Sequence, residues 1–391
     1  MGRLPAGVVA LGLVSLFMDM SSEMIHALLP LYLTTTLGAS ALVLGLIEGL
    51  GEATAQITKL FSGVLSDRSG RRKPLAVLGY GLSAATKPLF FLAGAAGLVL
   101  VARLADRVGK GIRGAPRDAM VADMVAPEQR GAAYGLRQTL DTIGAFSGPL
   151  LAIGFMVLLS GNVRLIFALA VIPALVAVAV LVLFVREPPA LGPPRPDLKL
   201  DRASLAALSP GFWLAAVLGS VMTLARISEA FLILRAGEIG LSMTLAPLVM
   251  VVMNLVYAVS AWPIGALSDR IGKRGLLGLG FAMLLAADLC LGFATGWTGL
   301  MIGTALWGLH MGLTQGLLAA MVADAAPRHL RGTAFGVFNL ATGIALLIGN
   351  GVAGALWAWY GSRVVFEVAA AIAGFALLLG LLSSRKQTPT V

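Results

Sequence analysis

Apolar runs of membrane-crossing length alternate with short polar breaks along the whole chain. A helix that crosses a bilayer needs about 20 mostly apolar residues. Twelve stretches meet that need: 7–34, 41–62, 74–95, 97–122, 131–159, 163–184, 211–236, 243–266, 275–295, 298–322, 332–359 and 363–383. Each is expected to be α-helical, because lipid offers the backbone no hydrogen-bond partner and tolerates no open strand edge. The longest break, 186–210, holds Pro188, Pro189, Pro193, Pro194 and Pro196 and reads as a semi-rigid extended linker. The pattern therefore predicts an all-α membrane protein. It has an N-terminal six-span unit at 1–185, a Pro-rich linker at 186–210, and a C-terminal six-span unit with a short tail at 211–391.

Composition narrows the class. The chain is 58% hydrophobic and 12% charged, where a soluble domain carries about 25% charged residues. The lipid bilayer is its expected surroundings. The net charge of +10 does not point to nucleic acid, since no solvated domain is visible to carry a basic face. It is better explained by orientation. Arg68, Arg71, Arg72, Lys73, Arg130, Arg270, Lys273, Arg274, Arg328 and Arg331 fall in breaks on one side, against Arg164, Arg235 and Arg363 on the other. The positive-inside rule places the basic side, and with it both termini, in the cytoplasm. A bacterial inner membrane is the expected location. The single cysteine, Cys290, excludes a disulfide framework and a Cys-based metal site. The N-terminal run is broken by Asp19 and Glu23 and lacks a small-residue cleavage site, so it reads as a retained first span.

The halves repeat. Gly63-Val-Leu-Ser-Asp67-Arg68-Ser-Gly70-Arg71-Arg72 returns 202 residues later as Gly265-Ala-Leu-Ser-Asp269-Arg270-Ile-Gly272-Lys273-Arg274. Val121-Ala122-Asp123 and Arg130-Gly131-Ala132 return 201 residues later as Val322-Ala323-Asp324 and Arg331-Gly332-Thr333. Three segments in one order and register indicate a duplicated six-helix unit. The Asp67 and Asp269 carboxylates suit a latch on basic residues or on a helix N-terminus, made in one conformation and broken in another.

The doubled Gly-x-Leu-Ser-Asp-Arg-x-Gly-Arg/Lys-Arg motif, after the second and eighth spans, resembles motif A of the major facilitator superfamily. The Asp123/Arg130 and Asp324/Arg331 segments look like that family's ends of spans 4 and 10. The resemblance covers the whole chain. It implies two six-helix bundles related by a pseudo-two-fold axis, a central cavity and alternating access. It also implies a cytoplasmic gate built on Gly63, Asp67, Arg68, Gly70, Arg71, Asp123 and Arg130, and again on Gly265, Asp269, Arg270, Gly272, Lys273, Asp324 and Arg331. The implied charge triads are Asp67, Arg71 and Asp123, and Asp269, Lys273 and Asp324. Gly144-Ala-Phe-Ser-Gly148-Pro149 is similar to the Gly-x-x-x-Gly-Pro core of motif C, which the family associates with proton-coupled exporters. The usual closing Gly-Gly is here Ala152-Ile153. Small residues followed by a proline also make an ordinary close helix contact.

Ionisable residues at membrane depth are costly and usually functional. Asp19, Glu23 and His26 lie within about 60° of one helix face, and Glu48, Glu52 and Lys59 within about 40°. The fourth span carries Arg103, Asp106, Arg107, Lys110, Arg113 and Arg117 within about 120°. Arg137 and Asp141 form an i,i+4 pair in the fifth span. At the repeat offset the fourth-span charges become Thr304, Trp307, Gly308, Met311, Thr314 and Leu318, and the fifth-span pair becomes Phe338 and Thr342. The fold does not need those charges, since its sister half lacks them. Asp19, Glu23, His26 and Asp141 are the proton-coupling candidates. Glu48, Glu52, Arg103, Asp106, Arg107, Lys110, Arg113 and Arg137 are candidates for one cavity wall. Arg226, Glu229, Asn254, His310, Gln315 and Asn339 are candidates for the other.

The expected function is secondary transport of a small-molecule substrate by a functional monomer, driven by the proton gradient, with no cofactor and no metal. Gly109-Lys-Gly111-Ile-Arg-Gly114 fits a dinucleotide fingerprint but sits inside a span rather than after a strand. No P-loop is present, so ATP has no visible site and no enzyme chemistry is expected. Export of an organic solute or drug is the first reading. Transport of an anion held by N-terminal arginines is the second. A receptor or channel on a transporter fold is the alternative of another class.

Overall fold

The computed structural model describes residues 4–69, 71–187, 205–271, 273–326 and 330–385, and every regular element among them is helical. Before the linker come α1 (Ala6–Thr36), α2 (Ala41–Ser69), α3 (Lys73–Leu92), α4 (Ala96–Asp123), α5 (Arg130–Leu158) and α6 (Val163–Phe184). After it come α7 (Pro210–Glu238), α8 (Leu248–Ile271), α9 (Lys273–Phe293), α10 (Trp297–Ala325), α11 (Arg331–Tyr360) and α12 (Ser362–Arg385). Among the described residues, seven helices are long and apolar enough to cross a membrane: α1, α3, α5, α6, α7, α9 and α11. Large apolar side chains point outward, including Phe61, Leu158, Leu183, Phe184, Val259 and Trp359. Such a surface suits lipid rather than water.

Four expected spans change shape. The stretch 63–69 is not a loop: α2 continues through Gly63 to Ser69, and its counterpart continues in α8 to Ile271. Nothing in Val64-Leu65-Ser66-Asp67 opposes a helix, so the backbone keeps its own hydrogen bonds. α1 is interrupted after His26, where Pro30 cannot donate a backbone hydrogen bond. It resumes at Leu29–Leu31 and passes into a π-helical turn at Tyr32–Thr36, with the Thr34 and Thr35 hydroxyls donating back to Pro30 and Leu31 carbonyls at 3.0 and 2.6 Å. α7 breaks at Arg226–Ser228. Ser228 caps the second piece through its Oγ, which accepts from the Ala230 N–H at 3.2 Å, and its own N–H donates to Asn350 Oδ1 at 2.7 Å.

The chain divides into two compact units. Unit 1 is Met1–Ala39, Leu50–Leu198 and Ser242–Leu248; unit 2 is Ser40–Gly49, Lys199–Leu241 and Val249–Val391. In unit 1, α1 packs on α5 and α6, and α3 packs on α4 and α6. In unit 2, α7 packs on α11 and α12, and α9 packs on α10 and α12. Each pairing recurs six helices later, so the sequence repeat extends to packing. The unit 1 core gathers Leu11, Val14 and Met18 of α1, Tyr80 of α3, Met120 of α4 and Leu181 of α6. In unit 2, Leu218 and Met222 of α7 meet Leu277 and Phe281 of α9.

The Gly-Pro motif of α5 makes the closest helix contact in unit 1 that bears on the site. Gly144 rests on the Leu16 carbonyl of α1, and a Cβ at Gly148 would stand 2.6 Å from Glu23 Cβ and 2.8 Å from the Met20 carbonyl. Backbone cannot yield as a side chain can. Gly148→Val is expected to destabilise the protein by about 1–3 kcal/mol or more through overpacking. Thermal unfolding of the purified protein would show it, and an unchanged midpoint would refute this account of the motif.

Candidate functional site

Unit 1 contains a partly open polar cavity of about 270 Å³. Asp19 and Glu23 of α1, Glu52, Gln56 and Lys59 of α2, Lys110, Arg113 and Arg117 of α4, and Asp141 of α5 line it. Four acids therefore face four bases. The helical register explains the convergence. Each helix keeps its charges on one face, and the small residues Ala55, Gly111, Gly114 and Ala145 fill the gaps between them. A Cβ at Gly111 would lie 2.8 Å from the Ala55 carbonyl, so α4 can approach α2 this closely only with glycine there.

The charges around the cavity are wired unevenly. Arg137 donates to Asp141 Oδ2 at 2.8 Å and to Gln138 Oε1 at 2.9 Å. Arg117 reaches Asp118 at 3.1 Å, Ser15 Oγ at 3.1 Å and Asp141 Oδ1 at 3.7 Å. Arg107 pairs with Glu52 at 3.2 Å. Arg113 is buried, donates to Ser83 Oγ and stacks its guanidinium 4.8 Å over the Tyr80 ring, and no acid pairs with it among the described residues. Lys59, Lys110 and Asp19 likewise make no ion pair among the described residues. Three cations and one carboxyl of the lining thus stand outside the ion pairs.

Several expected residues lie elsewhere. Asp106 is buried at 2% exposure and paired with Lys87 at 3.1 Å, with Ser22 Oγ accepting from the same ammonium at 2.9 Å. His26 Nε2 accepts from Arg103 and from Arg107, while Nδ1 sits 3.5 Å from Glu23. Arg103, Arg107 and Arg137 are held beside the cavity rather than lining it. Glu48 belongs to the segment of α2 that groups with unit 2, where it accepts from Ser228 Oγ at 3.1 Å. Gln56, Lys59 and Arg117 complete the lining from outside the expected set. Their signal was register: Gln56 and Lys59 lie four and seven residues past Glu52, and Arg117 four past Arg113.

The expected unit 2 wall residues do not line this cavity. His310 is fully buried with Nδ1–H donating to the Gly280 carbonyl at 2.8 Å, and Gln315 accepts from the Tyr257 hydroxyl at 3.1 Å. Asn254 is buried, Arg226 sits at the α7 break, Glu229 opens its second piece, and Asn339 is half-buried on α11.

At the repeated motif, Asp123 pairs with Arg72 rather than with Arg71, which is exposed. The reason is local. Glu187 accepts the backbone N–H groups of Arg72 and Lys73 at 2.7 and 2.9 Å, capping the start of α3 and holding Arg72 toward α4. Arg68, Arg130 and Asp324 are exposed. Asp67, Gly265, Asp269, Arg270, Lys273 and Arg331 are described as helical positions only, and Gly70, Gly272 and linker residues 188–204 lie outside the described residues.

The family model of the Major Facilitator Superfamily matches residues 11–235 and 227–390. An uncharacterised MFS-type transporter of Methanocaldococcus jannaschii, MJ1317, is 32% identical over 362 residues, covering 91% of this chain and 89% of that protein. The multidrug resistance protein MdtH of Yersinia pestis is 34% identical over 115 residues, 29% of this chain and 28% of that one. Among solved structures, a POT family transporter in complex with 5-aminolevulinic acid superposes with a TM-score of 0.83 at 14% identity, covering 98% of this chain and 97% of that one. The human organic anion transporter MFSD10 gives 0.71 at 17% identity, covering 96% and 99%. The chain belongs to the Major Facilitator Superfamily and is a multi-pass membrane transporter, not an enzyme.

Proposed function

We propose that this protein is a proton-coupled secondary transporter that exports a small polar organic solute by alternating access. Its twelve helices act as two pseudo-symmetric six-helix bundles in a bacterial inner membrane, with both termini in the cytoplasm and a monomer as the working unit. The charged cavity of unit 1 carries the reading. At about 270 Å³ it falls just below the ~300–1,000 Å³ of typical drug-sized sites, and its lining favours a polar solute over a lipophilic one. Export rests on the Gly144–Pro149 motif and on the partial likeness to a multidrug resistance protein. Proton coupling rests on Asp19, the one lining carboxyl that makes no ion pair among the described residues.

A second reading, transport of an anion, is favoured by Lys59, Lys110 and Arg113, which make no ion pair among the described residues. A guanidinium with a stacked, fixed plane suits a carboxylate or phosphate. One experiment sorts the readings. Solutes that raise the melting temperature of the purified protein are tested for flux in proteoliposomes with an imposed pH gradient. Saturable accumulation against the solute gradient is the expected result. Binding without flux would mark a receptor, and flux that neither saturates nor accumulates would mark a channel; either overturns the proposal.

A further inference from the structure

The α9·α10 interface of unit 2 holds a carboxyl group that the transport reading does not use. Asp288 is 0% exposed, and neither of its oxygens has a hydrogen-bond partner. Thr304 and Trp307 of α10 are also 0% exposed, and Thr304 Oγ1 and Trp307 Nε1 are unpartnered too. The antiparallel register sets the three at one level. A Cβ at Gly303 would meet Leu291 of α9 at 2.7 Å, and Gly280 of α9 lies against Thr314 of α10. Between those two contacts, Asp288 is level with Thr304 and Trp307.

The duplicated unit shows what such a position requires. At the repeat offset, Asp288 and Trp307 stand where unit 1 has Lys87 and Asp106. There the acid's charge is cancelled by the ammonium at 3.1 Å. In unit 2 the acid has moved to the other helix and its cation is gone.

No ionisable group on the helices around Asp288 pairs with it among the described residues. On α10, His310 uses Nδ1–H on the Gly280 carbonyl, two turns away, and Asp324 is exposed at the far end. On α12, Arg363 pairs with Glu367 at 2.7 Å and stacks on Phe293. On α7, Arg235 is held by the Leu291, Gly292 and Ala294 carbonyls, Ser362 and Glu238, and Arg226 sits at the helix break. A bare carboxylate in such surroundings has neither water nor a counter-charge to offset its desolvation.

We propose that Asp288 is a proton-binding site: the carboxyl is held as the neutral acid, and one buried water joins it to Trp307 Nε1–H and Thr304 Oγ1. The water accepts from the indole and donates to the carboxyl, which satisfies groups that are orphaned otherwise. Unit 1 thus cancels this charge internally, while unit 2 draws a proton from solution. The inference is independent of the cavity in unit 1 and of the direction of transport.

Infrared spectroscopy on the purified full-length protein tests it. A carboxylic-acid C=O band is expected at neutral pH that vanishes in Asp288→Asn and shifts in Trp307→Phe, which keeps the ring but removes the N–H. A folded state that binds one more proton than the unfolded state loses stability as pH rises, tenfold in the folding equilibrium per pH unit. Asp288→Asn is therefore expected to unfold with a shallower alkaline pH dependence than the wild type. Should Asp288→Asn fail to fold, the wild-type band and its Trp307→Phe shift still decide. Absence of an acid C=O band at neutral pH, or a band indifferent to both substitutions, would overturn the proposal.

Discussion

Asp19→Asn protein is expected to bind its solute and fail to accumulate it. Under an imposed pH gradient, its proteoliposomes should take up no more than liposomes with the gradient collapsed, while the solute still raises the melting temperature. The reasoning starts from the wiring of the cavity. Asp141 is held by Arg137 at 2.8 Å and Arg117 at 3.7 Å, and Glu23 faces His26 at 3.5 Å. Those carboxylates are tied into pairs that must break before a proton can move. Asp19 lines the same cavity and makes no ion pair among the described residues. A carboxamide preserves its size and its hydrogen bonding but cannot exchange a proton, so coupling is lost and the binding surface is kept. Glu23→Gln should weaken gradient-driven uptake far less. Full gradient-driven accumulation by Asp19→Asn would refute the assignment of coupling to this residue.

The second large effect concerns stability. Lys87→Met leaves Asp106 as a buried acid stripped of its direct ionic partner, and it should cost about 3–5 kcal/mol. Lys87 is 1% exposed and Asp106 2%, so water cannot take over for the lost ammonium. The loss should be largely relieved in Lys87→Met/Asp106→Leu, because an apolar pair of similar volume is often as stable as the ion pair it replaces. Thermal unfolding of the three proteins gives the comparison. A single variant as stable as the wild type would mean that Arg103 and Arg107, one turn of α4 away or less, compensate Asp106 without Lys87. A double variant no better than the single would mean that the pair matters through packing rather than charge.

Much of the architecture was legible in the chain. The spacing of apolar runs gave helix positions within a few residues for most spans, because lipid leaves the backbone no alternative. The repeat at 201–202 residues anticipated that α1 with α5 and α3 with α4 would be echoed by α7 with α11 and α9 with α10. Part of each charged face, Asp19 and Glu23, Glu52 and Lys59, Lys110, Arg113 and Arg117, and Asp141, lines one cavity, since a face is set by helical periodicity alone.

Partner choice was not legible. That Arg72 rather than Arg71 meets Asp123 depends on Glu187, 115 residues away, capping α3. That Asp106 leaves the cavity for Lys87, and that Glu48 joins Ser228, depends on which helices are neighbours and at what height they cross. In the sequence Asp288 is one acid in an apolar run; its burial without a partner, where the sister unit pairs Lys87 with Asp106, is visible only in the structure. By itself, then, the sequence determined the class, the duplication and the polar faces, because hydropathy and periodicity act within one helix. Only the tertiary structure decided which charges are cancelled and which remain available, because that turns on distances of a few ångström between helices far apart in the chain.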